Sequence, residues 1–131
     1  MMRRPRKGWD SGAAALEMAL VAPVFLTFVL GTFTLGWALY CGAEVRHAVE
    51  RKSRLLIVTP GTTASTLQTA VRAELHAANP NNVNLTMATQ TVGAGSIAKL
   101  SWTYGYTMNI PFAANPITLN FNSSMVVPLR T

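Results

Sequence analysis

"SGAAALEMALVAP", residues 11–23, opens the only long apolar stretch of the chain and carries a glutamate, Glu17, five residues after Gly12. From Met18 to Ala43 no charged side chain follows. Those 26 residues span about 39 Å as a helix at 1.5 Å per residue. The hydrocarbon core of a bilayer is about 30 Å thick, so the run is long enough to cross it with some tilt or overhang. A carboxylate near the bilayer centre costs roughly 2.5–3.5 kcal/mol on insertion scales. Glu17 therefore needs a reason.

Two other readings of the run stay open at this point. A secretory signal has an apolar region of only about 7–15 residues, although "ALYCGAEV" offers small residues for a late cleavage. A helix buried in a soluble core would have to be wrapped on all sides by a chain of only 131 residues, and domains of that size do so with difficulty.

Charge sets the orientation. Arg3, Arg4, Arg6 and Lys7 precede the span, opposed only by Asp10, which favours a cytoplasmic N-terminus. Arg46, Arg51, Lys52 and Arg54 follow it, interleaved with Glu44 and Glu50. The first cluster places residues beyond about 43 outside the cytoplasm. The net charge of +6 and pI near 10.3 do not describe a nucleic-acid surface. Eight of the eleven basic residues flank the span, where anionic headgroups are an adequate partner, and only Arg72, Lys99 and Arg130 lie beyond Gly61. A DNA-binding face needs a basic stripe, so nucleic acid is disfavoured as a partner. Cys41 is alone, which excludes an intrachain disulfide.

Past the span, Val45, Ala48, Val49, Leu55 and Leu56 form a broken apolar stripe, and Glu50–Arg54 is an i,i+4 pair in the favourable order. Nothing breaks the pattern before Pro60 and Gly61. One helix is expected from about Ala13 to Thr59, embedded at first and amphipathic later. Leu67, Val71, Leu75 and Ala78 mark a short second helix, with Thr63 or Ser65 as its cap, ended by "NPNN". After Asn82 the period changes to two. Val83, Leu85 and Met87 form one alternating run. Leu100, Trp102, Tyr104, Tyr106, Met108 and Ile110 form a second, closed by Pro111, and Ile117, Leu119 and Phe121 start a third that reaches Val127. Residues Gly93 to Ser96 read as a turn. Three half-buried strands with short connections predict an antiparallel meander covered on one face by helix. The fold class is α+β, a long N-terminal helix, a short second helix and a small antiparallel three-stranded sheet. The chain divides into a basic cytoplasmic leader (1–12), a transmembrane helix (13–43), an amphipathic extension (44–60) and an extracytoplasmic helix plus sheet (61–131).

No residue set suggests catalysis. There is no Ser/His/Asp spacing, no phosphate loop and no cysteine ligand cluster. Glu44-x-x-His47 occurs once, whereas a di-iron bundle needs it twice, so these two read as a solvated helix turn. Trp102, Tyr104 and Tyr106 read as sheet core rather than a ligand platform. The protein is read as a non-enzyme without cofactor, metal or small-molecule substrate.

A basic leader, Gly12, small apolar residues, Glu17 and then a helix resemble the prepilin peptidase site of the type IV filament superfamily. More closely, "GAAALEMALVAPVFLTFVLGTFTLG" resembles the TadE-like family, minor pseudopilins of tight-adherence (Tad or Flp) pili. "AKLSWTYGYTMNIPF" and "ITLNFNSSMVVPLR" are similar to that family's paired terminal strands. The resemblance implies a minor pseudopilin or membrane-anchored accessory subunit of Tad pilus assembly, processed by a prepilin peptidase between Gly12 and Ala13. Glu17 and the following residue serve recognition and assembly; Met18 stands where the family often carries an aromatic residue. The implied partners are the peptidase, other Tad pilins and pseudopilins, the inner-membrane assembly platform and membrane lipid. The implied location is the bacterial inner membrane, single-pass, with a periplasmic C-terminal domain and incorporation into the pilus an open possibility. An uncleaved bitopic scaffold of the Tad machine and a DNA-uptake pseudopilin are the alternatives.

The physics is compatible. Cleavage creates an α-amino group on Ala13, one turn from Glu17, and the pair can neutralise each other within a chain or between staggered neighbours. A glutamate that snorkels to headgroups and favours the helix dipole is the other reading. Pro23 lies inside the helix, where it removes a hydrogen bond and tends to kink. Thr32-x-x-x-Gly36 and Ala38-x-x-x-Gly42 offer small faces for helix packing.

Overall fold

A computed structural model describes residues 10–59, 61–93, 95–110 and 114–129. The basic leader before Asp10, the helix breaker Pro60 and the strand-closing Pro111 lie outside the described residues. Helix α1 runs Asp10–Ser53, α2 Leu55–Val58 and α3 Ala64–Arg72, and a single 3-10 turn covers Pro80–Asn82. Strands β1 (Val83–Val92), β2 (Gly95–Met108) and β3 (Ile117–Leu129) form one antiparallel sheet in the order β1-β2-β3. The architecture is α+β, with the long N-terminal helix and three-stranded meander expected from the sequence.

The period-two alternation places one face of the sheet inward. Val83 and Leu85 of β1, Ala98, Leu100, Trp102 and Tyr104 of β2, and Val127 of β3 are buried. The second half of α1 supplies Cys41, Val45, Ala48 and Val49, and α3 supplies Leu67 and Val71. Fully burying an aliphatic side chain of this size contributes about 1.5–3 kcal/mol, so this shared layer is what holds helix to sheet. The register is unbroken from Val83↔Tyr104 to Val92↔Gly95 and from Ser96↔Leu129 to Met108↔Ile117. Gly95 and Ser96, expected in the β1–β2 turn, already belong to β2, and Gly93 takes φ +61°, a region glycine enters about as readily as the ordinary one.

Local chemistry fixes the ends. Thr63, not Ser65, caps α3, its hydroxyl accepting from the Thr66 amide at 3.3 Å. Gln68 Nε2 and Arg72 Nη2 both donate to the Val83 carbonyl, at 3.2 and 2.8 Å, tying α3 to the start of β1. Asn79 caps the 3-10 turn through its side-chain oxygen, which accepts from the Asn81 amide.

Three expectations are corrected. The helix does not run unbroken to Thr59. Ser53 Oγ donates to the Glu50 carbonyl at 2.8 Å, a competing local bond of the kind that disturbs helices, and the Ile57 amide reaches back only three residues, to Arg54. The irregularity at Arg54 is slight: that residue keeps helical angles, φ −62° and ψ −22°, the Val58 amide still reaches its carbonyl at 3.3 Å, and Leu56 stays buried. Glu50 accordingly pairs backward with Arg46, at 2.7 Å, rather than forward with Arg54. The second helix ends at Arg72, before Leu75 and Ala78, and its last amides bond three residues back, Glu74 to Val71 and Leu75 to Arg72.

α1 comes close to the sheet at Gly42. A Cβ built there would lie 2.9 Å from Phe121 Cδ1. Gly36 has nothing within 4 Å. Gly42→Val should therefore lower domain stability by about 1–3 kcal/mol through overpacking, read as a reduced denaturation midpoint in detergent. Gly36→Val should leave that midpoint unchanged.

Candidate functional site

The first half of α1 is bare. Leu16, Met18, Leu20, Phe25, Phe28 and Phe33 all stand exposed, Phe33 at 74%, and none of the most apolar 18-residue window is buried inside the fold. That outcome removes the reading of a helix wrapped in a soluble core. A contiguous apolar surface of this kind marks a membrane or protein contact, and the helix is long and apolar enough to cross a membrane.

Its polar groups are already satisfied along the helix. Thr27, Thr32 and Thr34 donate their hydroxyls to the carbonyls of Pro23, Phe28 and Leu30, at 2.7, 2.8 and 3.0 Å. Lipid offers no hydrogen bonds, so internal partners are what a lipid-facing hydroxyl requires. The helix passes through Pro23 without interruption. Pro23 has no amide to give Ala19, and Thr27 reaches the Pro23 carbonyl from the next turn.

Glu17 is exposed near the start of this surface. None of the ion pairs found among the described residues involves it. From Glu17 to Trp37 the rise is about 30 Å, equal to the thickness of a hydrocarbon core. Trp37 and Tyr40 are exposed and lie with ring centroids 5.6 Å apart; aromatic side chains favour the membrane–water boundary. A bilayer matched to this helix puts Glu17 at one boundary and Trp37 at the other. The central-burial cost is then not incurred. Gly12 and Ala13 lie in the first turns of α1, exposed, with nothing within 4 Å of the Gly12 Cβ position. Met18 is exposed beside Glu17.

The two small-residue faces part company. Thr32 and Gly36 are exposed and line a shallow apolar groove with Phe33, Trp37 and Tyr40. Ala38 and Gly42 are buried within the chain, Gly42 against Phe121. The folded domain thus begins at Ala38, several residues before the boundary at 43 expected from charge alone.

Glu44 is the polar residue that the sequence conceals. It is no solvated helix position. Its carboxylate accepts from three successive amides, His76 at 2.8 Å, Ala77 at 3.1 Å and Ala78 at 2.7 Å. Burial by itself would raise the Glu44 carboxyl; the bonds from His76, Ala78 and Ala77, with the His76 ring, outweigh it and hold the group below its ordinary value. Beside it, Glu74 pairs with Arg51 at 2.6 Å and Lys52 at 3.3 Å. Both contacts fasten the segment after α3 onto α1. The first was hidden because its donors are backbone amides, 32 residues on in sequence at His76. His47, by contrast, stays exposed near Glu50. Among the described residues no group of three or more His, Cys, Asp or Glu side chains could hold a metal.

With the bare helix and its single acid in view, the comparison with known families is decisive for one stretch. Residues 12–51 match the family model for TadE-like protein. This stretch is TadE-like. The match bears out the resemblance read from the helical stretch that begins at Gly12, without reaching the two terminal strands, and it suggests a protein associated with the Tad pilus. Searches of curated proteins and of solved structures gave no match. The TadE-like stretch starts at Gly12, includes the whole exposed surface with Glu17, and ends within the part of α1 that packs on the sheet.

Glu44 gives a pH-dependent prediction. Its carboxyl is lower in the folded state than the ordinary 4.5 of the unfolded chain. Its stabilisation is therefore fully present above about pH 4.5 and is lost as pH falls through the depressed folded value. Glu44→Gln should cost about 1–3 kcal/mol at neutral pH. The gap between wild type and variant in denaturant titrations should close as pH is lowered through that window.

Proposed function

We propose that the protein is a minor pseudopilin, or membrane-anchored accessory subunit, of Tad pilus assembly, made as a precursor and cut after Gly12 by a prepilin peptidase. The observation that supports this reading is the coincidence of the TadE-like match with the bare surface: the match begins at Gly12, and the acid and the apolar faces follow without cover. α1 crosses the bacterial inner membrane with its N-terminus in the cytoplasm, and the domain from Ala38 onward stands on the periplasmic side. The cut bond lies in the first turn of α1, whose leading amides have no partner within the helix, so unwinding it for a peptidase disturbs little. The new amine on Ala13 then stands one turn from Glu17. Pairing with a neighbouring chain's carboxylate or amine neutralises both charges and fixes the register in which helices pack, the best-attested role of a polar group in an apolar interface. Other Tad pilins and the inner-membrane platform are the partners.

The uncleaved scaffold remains the second reading, since an intact chain would present the same helix and domain. Intact mass and N-terminal sequencing of the membrane-purified protein from peptidase-positive cells should find Ala13 first. Retention of Met1 or Met2 would reject processing, and Gly12→Val should block it. A periplasm-dependent reporter fused after Thr131 should be active, and one fused before Gly8 silent.

Glu17→Gln separates pairing from snorkelling. If the carboxylate pairs at assembly, the variant should insert and be cleaved normally yet fail to assemble. Losing one partner of a buried pair typically costs about 3–5 kcal/mol. Normal pili in the Glu17→Gln strain would reject the pairing.

A further inference from the structure

The direction of the sheet relative to α1 carries a consequence for the lower end of the domain. Gly42 meets Phe121. Farther along, α2 packs against β3, and Leu56 shares the core with Val127, with Met125 and Leu129 packed beside them. β3 therefore runs away from the bare helix as it passes from Phe121 to Leu129. In the other direction, from Phe121 back to Ile117, it runs toward the bare helix. That segment covers about 13 Å at 3.3 Å per residue, equal to about nine residues of helix at 1.5 Å each. Even with a crossing angle, the Met108↔Ile117 pair comes level with the turns of α1 between Phe33 and Trp37. Ala38, one turn before Gly42, is fully buried, as a sheet continuing past Gly42 requires.

That level is the membrane boundary set by Trp37 and Tyr40. The sheet end that reaches it suits such a place. No charged residue occurs between Lys99 and Arg130. Asn109, Ala114, Asn115 and Pro116 are exposed, and so is Ile117, at 44%. The other charges of the domain lie on α1, at Arg54 and in the segment after α3, with Lys99 toward the opposite end of β2; the nearest described charge is Arg72, held at the Val83 carbonyl, whose residue pairs with Tyr104, four residues short of Met108.

We propose that the β2–β3 end of the sheet rests on the phospholipid surface, with Ile117 in the headgroup layer, as a second membrane contact beside α1. Helix and sheet end together hold the domain at a fixed tilt to the bilayer, which one helix does not do. The contact is made to lipid, not to a second protein, because it is continuous with the apolar surface of α1 and carries no charge to repel or select a partner. It rests on α1 crossing the membrane.

Single cysteines at Ile117, Phe25 and Thr91, each labelled with an environment-sensitive fluorophore, test it in the full-length protein in phosphatidylethanolamine–phosphatidylglycerol vesicles. Wild type, whose only thiol is the buried Cys41, is the labelling blank. The Phe25 label should be quenched by lipid spin-labelled deep in the acyl chain. The Ile117 label should be quenched by lipid spin-labelled at the headgroup and blue-shifted relative to the Thr91 label, which should stay unquenched. An Ile117 label that behaves like the Thr91 label while Phe25 is quenched overturns the contact and leaves the membrane helix standing. An Ile117 label that is blue-shifted but untouched by any spin-labelled lipid assigns the surface to a protein neighbour and also overturns it. An unquenched Phe25 label removes the membrane helix itself, and the lipid contact with it.

Discussion

A single helix has to satisfy two different surroundings, and the rest of the structure follows from where the change occurs. From Met18 to Trp37, α1 carries no charge and none of its most apolar 18-residue window is buried among the described residues. From Ala38 onward it shows one apolar stripe, Ala38, Cys41, Val45, Ala48 and Val49, at spacings of three and four, all buried. The backbone does not change, since every amide and carbonyl of a helix interior is satisfied within the helix in either medium. Only the side chains change. The sheet attaches where Gly42 lets Phe121 come close, and α3 attaches over the next turns. A residue larger than glycine at 42 would have to displace the Phe121 ring, close to where the sheet meets the helix.

The two carboxylates on α1 that matter show opposite solutions to the same electrostatic problem. Glu44 sits among folded groups and is satisfied by three amides from a distant segment. Glu17 takes part in none of the ion pairs found among the described residues and stands at the far edge of the apolar surface. A carboxylate with bound donors is a structural clamp. A carboxylate left without one, at a boundary, is available to something outside the chain.

Periodicity made most of the fold legible. Alternation at period two located the three strands and their buried face, because each strand has one wet side and one dry side. The apolar run located the bare helix for the same reason in reverse: it has no wet side. Contacts that join positions far apart left no mark on either pattern. Glu44 looked like an ordinary helix-surface acid because its partners are backbone amides, which have no sequence signature. Leu75 and Ala78 fit the helical spacing of α3, yet the chain had already left the helix, drawn down by that same carboxylate. The burial of Ala38 and Gly42 was likewise hidden. A small residue looks the same whether it faces a neighbouring helix in lipid or its own sheet in water, and here Phe121 decides.

If the subunit moves from bilayer to filament, apolar area alone does little to drive the transfer. Lipid tails are as apolar as leucine, so association in a membrane comes from close packing and polar contacts rather than from removal of water. Large exposed residues such as Phe25, Phe28 and Phe33 are then equally at ease in either place and carry little specificity. What distinguishes a neighbouring helix from lipid is a surface that lets backbones approach, which Thr32 and Gly36 offer in the groove beside Trp37, and a charge that lipid tails cannot neutralise, which Glu17 supplies. The two lie at opposite ends of the span. A partner that matched both at once would have its register and direction fixed together.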